Sequence, residues 1–266
     1  MVQRGEKLPE LVEIMNRLLA PDGCPWDREQ TLATLRPYVV EEAHEVVDAI
    51  DRGDLSHLRE ELGDLLLQIV FQSALAERDG SGARFGIDDV IGGICDKMVR
   101  RHPHVFGDET ADDSAQVLVR WEELKAKEKK GRGVLEGVPV AMPGLLRATR
   151  VGEKSASLGL DWPDARGPRA KLDEEIAELD DAVRAGDRDA MEAELGDVLF
   201  TLTNLARKHG LDAEAALRRT IDTYARRVGH IEGALKAQAL DPKTLSEAEL
   251  DVLWKQAKEA LARAEP

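Results

Sequence analysis

The residues best suited to chemistry are carboxylates in two clusters. Glu41-Glu42-x-x-Glu45 is followed by Glu61-Leu-Gly-Asp64, and Glu174-Glu175-x-x-Glu178 by Glu194-Leu-Gly-Asp197. On a helix, spacings of three and four put side chains on one face, so each cluster gathers several carboxylates. Facing one another they repel and their pKa values rise, a conflict that a divalent cation relieves. The donors are all oxygen, without Cys or paired His, which selects a hard cation: Mg²⁺, with Mn²⁺ as a substitute. Structural zinc is excluded on ligand type. Glu41-x-x-His44 fits the Glu-x-x-His element of ferritin-like di-iron bundles, but that fold needs the element twice, and the second half has Glu174-x-x-Ala177. The expected metal ligands are Glu42, Glu45, Glu61 and Asp64, then Glu175, Glu178, Glu194 and Asp197. Glu41 and Glu174 adjoin them as catalytic candidates.

The elements that must position these groups are helices. Periodicity predicts them over 8–20, 33–52, 55–78, 88–101 and 114–129, then 145–157, 169–185, 188–209, 213–236 and 246–263, with Asp54, Asp187 and Ser246 as N-caps. In the helix after Asp54, Leu58, Leu62, Leu65, Leu66, Leu67, Ile69, Val70 and Phe71 cover nearly the whole circumference, which predicts burial. Glu61, Asp64, Gln68 and Gln72 fall in one stripe about 80° wide. Glu194, Asp197, Thr201 and Asn204 repeat it. An acidic stripe on an otherwise apolar helix is costly unless its charges are paired or metal-bound. The turn Arg52-Gly53-Asp54 folds the preceding helix back, bringing Glu41, Glu42 and Glu45 to that stripe.

The chain therefore reads as all-α and internally repeated. The gap from Glu45 to Glu61 equals that from Glu178 to Glu194. A Trp in a turn-rich loop precedes each cluster (Trp26, Trp162), and a Trp-x-x-x-Lys follows it (Trp121 to Lys125, Trp254 to Lys258). A charged, Gly- and Pro-punctuated stretch over 126–143 reads as a linker between modules 1–125 and 144–266.

Basic residues lie downstream of the carboxylates. Lys97 and Arg101 are i,i+4 at a helix end, which suits phosphate oxygens or, equally, a helix C-terminus. Lys125 and Lys258 add a phosphate contact while Trp121 and Trp254 stack on a base, or the two Trp anchor terminal helices.

A net charge of −15 argues against holding nucleic acid directly, although a divalent cation can bridge an acidic surface to a nucleotide. Two cysteines, Cys24 and Cys95, give no disulfide framework. No apolar run approaches the roughly 20 residues that cross a bilayer, and no apolar signal follows the polar N-terminus, so a cytoplasmic location is expected.

With Gly23-Cys-Pro-Trp-Asp27 and Arg100-Arg-His-Pro-His-Val-Phe106 added to the two carboxylate clusters, almost the full length resembles the MazG family of nucleoside triphosphate pyrophosphohydrolases, in the all-α NTP pyrophosphatase superfamily. The resemblance implies two tandem four-helix-bundle-like modules, a homodimer, bound Mg²⁺, and hydrolysis of NTPs and dNTPs to nucleoside monophosphate and pyrophosphate. On that basis the metal bridges the triphosphate, Glu41 and Glu174 are outer ligands or orient water, and water attacks the α-phosphorus. Lys171 and Arg227 join the substrate-binding candidates. Matching the halves on Arg101 and Arg227 sets Lys97 against Thr223, where the family usually has Lys. One phosphate ligand is thus missing from the second half, which raises the alternative of one catalytic and one nucleotide-binding module; a helical interaction protein with vestigial acidic sites is a third reading.

Overall fold

The computed structural model describes residues 5–264, apart from 81, 112, 115, 118–119, 122–123, 125–127, 129–130 and 132. The described residues form α-helices and one 3₁₀ turn, Pro242–Thr244, with no strand among them. The chain divides into two compact units, Met1–Lys130 and Gly131–Pro266. No helix among the described residues is long and apolar enough to cross a membrane.

The first unit holds α1 (Leu8–Leu18), α2 (Pro25–Glu29), α3 (Leu32–Arg52), α4 (Leu55–Arg78), α5 (Ile87–Arg101) and α6 (Pro103–Phe106). Short α2 and α6 escape a periodicity test, and each begins on a proline whose fixed φ suits the first helical position. The helix expected over 114–129 falls largely on residues outside those described, but Arg120, Trp121, Leu124 and Glu128 have helical backbone.

α3 begins at Thr31, whose hydroxyl accepts from Thr34 N–H while Thr34 Oγ1 accepts from Thr31 N–H. It ends at Gly53, where φ of 68° favours glycine. The Gly53 and Asp54 amides donate back to the Ile50 and Ala49 carbonyls, and the Asp54 carboxylate caps α4 by accepting from Ser56 and His57 N–H. α3 and α4 therefore form a tight antiparallel hairpin. Below it, Met15, Leu19, Leu35, Val70 and Phe71 make the core, flanked by Leu8, Leu11, Val12 and Leu67.

The second unit holds α7 (Gly144–Ala156), α8 (Arg166–Ala185), α9 (Arg188–Lys208), α10 (Ala213–Gln238) and α11 (Glu247–Ala264). α8 and α9 repeat the hairpin: Gly186 has φ of 69°, its amide and that of Asp187 donate to the Val183 and Ala182 carbonyls, and Asp187 caps Asp189 and Ala190. Ser246 and Glu249 cap α11 reciprocally.

Ahead of α8, Asp161 is an anchor. Its carboxylate accepts from Arg207 (2.5 and 3.1 Å), Lys208 (2.7 Å) and the Trp162 amide (2.9 Å). Trp162 then lies so close to Gly167 that a Cβ there would come within 2.0 Å of the indole.

The expected all-round burial of α4 is not what this chain achieves. Leu62, Leu66 and Ile69 are 49, 39 and 43% exposed, while Glu61 and Gln68 are buried. Leu195, Leu199 and Leu202 stand at the matching positions of α9 and are likewise exposed. Each hairpin leaves an apolar stripe outward, while Glu61 and Gln68 of α4 and Thr201 and Asn204 of α9 are buried and Asp197 is exposed. Periodicity shows that a helix is apolar all round, but not which part its own chain covers.

Candidate metal and nucleotide site

In the first hairpin, α3 supplies Glu42 and Glu45 and α4 supplies Glu61. One carboxylate oxygen from each lies within 4.8 Å of the others. Asp64 lies outside this triplet, although its charge acts on both Glu42 and Glu61. Burial, then the negative charges of Asp64 and Glu45, push the Glu42 carboxyl above its ordinary range. Burial and the Glu45 charge do the same to Glu61, against the opposing pull of His57. His57 Nδ1 sits 3.1 Å from Glu61 Oε1, and Gln68, two turns from Glu61 on the same stripe, is buried with Oε1 lacking a hydrogen-bond partner among the described residues. Glu41 is exposed and stands outside the triplet, and His44 is also exposed.

In the second hairpin the triplet is Glu175, Glu194 and Asp197, again within 4.8 Å. Glu178 hydrogen-bonds to Glu175, and that bond, ahead of burial, raises the Glu178 carboxyl. Lys171, one turn earlier on α8, reaches Glu174 (2.6 Å) and Glu175 (2.8 Å), and those carboxylates hold its ammonium well above the usual lysine range. Glu194 Oε2 is buried without a hydrogen-bond partner among the described residues. An orphaned buried oxygen beside converging carboxylates fits a hard cation, which satisfies the lone pairs and removes the repulsion.

The basic candidates divide. Arg101 packs over Trp121, with its guanidinium carbon 5.0 Å from the ring centroid, and Arg227 packs over Trp254 at 5.5 Å. His102 makes an edge contact with Trp121, and Tyr224 a tilted contact with Trp254. Each Trp thus seats an arginine. Lys97 is partly buried on α5, Lys258 is exposed on α11, and Lys125 lies outside the described residues. The Thr223 hydroxyl donates to the Arg219 carbonyl (2.8 Å), so it is engaged within α10.

Sequence reasoning missed three charged partners: His57, Glu128 and Asp161. The i,i+4 spacing of His57 and Glu61 was a usable signal. Glu128, which binds Arg100 and Arg101, is far from both in sequence and carried no such signal.

Two carboxylate triplets, each drawn from both helices of a hairpin and each with one buried and one exposed member, give this all-helical protein acidic clusters with the donor set of a hard-cation site. The family model described as the MazG nucleotide pyrophosphohydrolase domain matches residues 30–106 and 168–231, segments that contain both triplets. The chain belongs to that family. It is 40% identical over 258 residues to a nucleoside triphosphate pyrophosphohydrolase of Escherichia coli K12, covering 95% of this chain and 97% of the relative. It is 38% identical over 260 residues to a nucleoside triphosphate pyrophosphohydrolase/pyrophosphatase MazG of Thermotoga maritima, covering 97 and 98%. A crystal structure of a mazG-related protein from Thermotoga maritima aligns with 44% of this chain and 98% of its own, at 30% identity and a TM-score of 0.38.

Proposed function

We propose that the protein hydrolyses nucleoside triphosphates and deoxynucleoside triphosphates to the monophosphate and pyrophosphate with Mg²⁺, using tandem modules 1–125 and 144–266 joined by 126–143. The observation that carries this reading is the convergence of three carboxylates in each hairpin, with the orphaned Glu194 oxygen in the second. Glu42, Glu45, Glu61 and Asp64 would hold the cation in the first module, and Glu175, Glu178, Glu194 and Asp197 in the second. Bound there, Mg²⁺ or Mn²⁺ supplies the Lewis acid and acidified water that phosphoric-anhydride hydrolysis needs.

The chain's own groups do the rest. Glu41 and Glu174, exposed beside the triplets, accept a proton from the attacking water. Lys97 and Arg101 in the first module, and Arg227 in the second, neutralise the departing pyrophosphate. Lys171 turns from its glutamates to the substrate. The matching exposed stripes Leu62-Leu66-Ile69 and Leu195-Leu199-Leu202 support a homodimer in which a second copy covers them.

Product analysis tests the reaction. Purified protein with an NTP panel should release monophosphate and pyrophosphate only with Mg²⁺; diphosphate and phosphate would contradict it. Glu45→Ala and Glu178→Ala should each lower turnover by at least about 100-fold in their own module. The engaged hydroxyl of Thr223 favours a second reading, in which the second module binds nucleotide without turnover. Equal partial losses in the two variants would reject it.

A further inference from the structure

We propose that the Glu128 carboxylate is a built-in occupant of an anion site formed by Arg100 and Arg101, so that a nucleotide's phosphates must displace it to engage the first unit. The proposal rests on the reading of Arg101 as a phosphate ligand. Side chains of neighbouring helical residues diverge by about 100°, yet Arg100 and Arg101 converge on one carboxylate. Glu128 Oε1 accepts from Arg100 Nε (2.9 Å) and lies 2.8 Å from Arg100 Nη2, and Glu128 Oε2 accepts from Arg101 Nη2. The hydrogen bonds from Arg101 and then Arg100 hold the Glu128 carboxyl down at about 2, so it is anionic throughout the physiological range.

The Arg101 end of the site is built in advance. Its side chain is 13% exposed and lies against Trp121, and the His102 ring that edges Trp121 is itself tied through Nδ1 to the Met98 carbonyl (2.7 Å). Two guanidiniums facing one carboxylate leave a net positive charge. A polyphosphate, with more charge and more acceptor oxygens than one carboxylate, matches the paired forks better. The second unit provides the contrast: Arg227 has the same seat over Trp254, but its Nε is buried without a hydrogen-bond partner among the described residues. The two units thus differ at the ring-seated arginine: Arg101 is held by Glu128, whereas Arg227 Nε has no partner among the described residues.

Titrating the full chain calorimetrically with inorganic tripolyphosphate in Mg²⁺ tests this. Glu128→Gln should tighten one class of site by about tenfold, the order expected when an internal charge-assisted contact no longer has to be broken first. Glu128→Asp, which withdraws the carboxylate by one methylene, should tighten it less. Arg101→Met should weaken the same class and cancel the gain from Glu128→Gln. Unchanged or weaker binding by folded Glu128→Gln, with Arg101→Met still impaired, overturns the proposal while leaving Arg101 as a phosphate ligand. Wild-type affinity in Arg101→Met overturns both.

Discussion

Replacing Asp161 with Ala should unfold the second unit at markedly lower temperature. The carboxylate accepts four donor contacts, from Arg207 twice, Lys208 once and the Trp162 amide. The Asp161, Arg207 and Lys208 side chains are 18, 15 and 15% exposed. Removing one partner of a fully buried ion pair costs about 3–5 kcal/mol, because the other charge is left uncompensated. The residual water access here lowers that to about 2–3 kcal/mol, or about 5–10 °C in unfolding temperature for a unit of this size. Asp161→Asn keeps an acceptor for the Trp162 amide and should lose less. The sign with pH follows from the pairing. Arg207 first, and then Lys208, hold the Asp161 carboxyl well below its ordinary 3.8. Its contribution is therefore complete above that value and is lost as pH falls through the lowered folded pKa. Thermal unfolding of wild type and Asp161→Ala should show the full gap at pH 7 and a narrowing gap below 3.8. A gap under about 1 kcal/mol at pH 7 would refute the claim that these charges are desolvated as a group.

The acidic clusters predict the opposite pH trend. Glu42, Glu61 and Glu178 have carboxyls raised above 4.5, so the metal-free protein loses their stability as pH rises from 4.5 through the raised folded values. In EDTA the unfolding temperature should be higher at pH 5 than at pH 7.5, and Mg²⁺ should restore it at pH 7.5; scanning calorimetry showing no Mg²⁺ response would count against the cation site. Gly53→Ala and Gly186→Ala force a Cβ into the left-handed turn of each hairpin. Each should cost about 1 kcal/mol in denaturant titrations, and no loss would mean the turn can relax to another geometry.

Much of the hairpin was legible because its determinants are local. Asp54, Asp187 and Ser246 read as N-caps, and each accepts the expected amide hydrogen bonds. The polar stripe from Glu61 to Gln68 follows from helical periodicity alone, and both residues are buried. The exposure of Leu62, Leu66 and Ile69 was not legible, since an apolar stripe looks the same whether its own chain or another covers it. Asp161 escaped for a different reason: its partners lie a full hairpin away in sequence, and pairings across such distances leave no periodic trace.

The two units share their carboxylate positions in sequence and differ in their cations. Helix geometry and a shared turn dictate the carboxylate spacing, so the repeated hairpin carries the same carboxylates, although the converging triplet takes Glu45 in the first unit and Asp197 in the second. The counter-charges come from elsewhere and follow no such rule. In the first hairpin His57 on α4 meets Glu61, and the matching position of α9 is Ala190. In the second, Lys171 on α8 meets Glu174 and Glu175, and the matching position of α3 is Tyr38. The ring-seated arginine follows the same logic, bound to Glu128 in one unit and with an Nε that has no partner among the described residues in the other. Thr223 opposite Lys97 was visible in the aligned motifs, and it belongs to a wider pattern. On the proposed reading, a cation entering either unit competes with the cationic side chain already paired to its carboxylates, His57 in the first and Lys171 in the second. The two sites should therefore differ in affinity although the same carboxylates recur in both sequences.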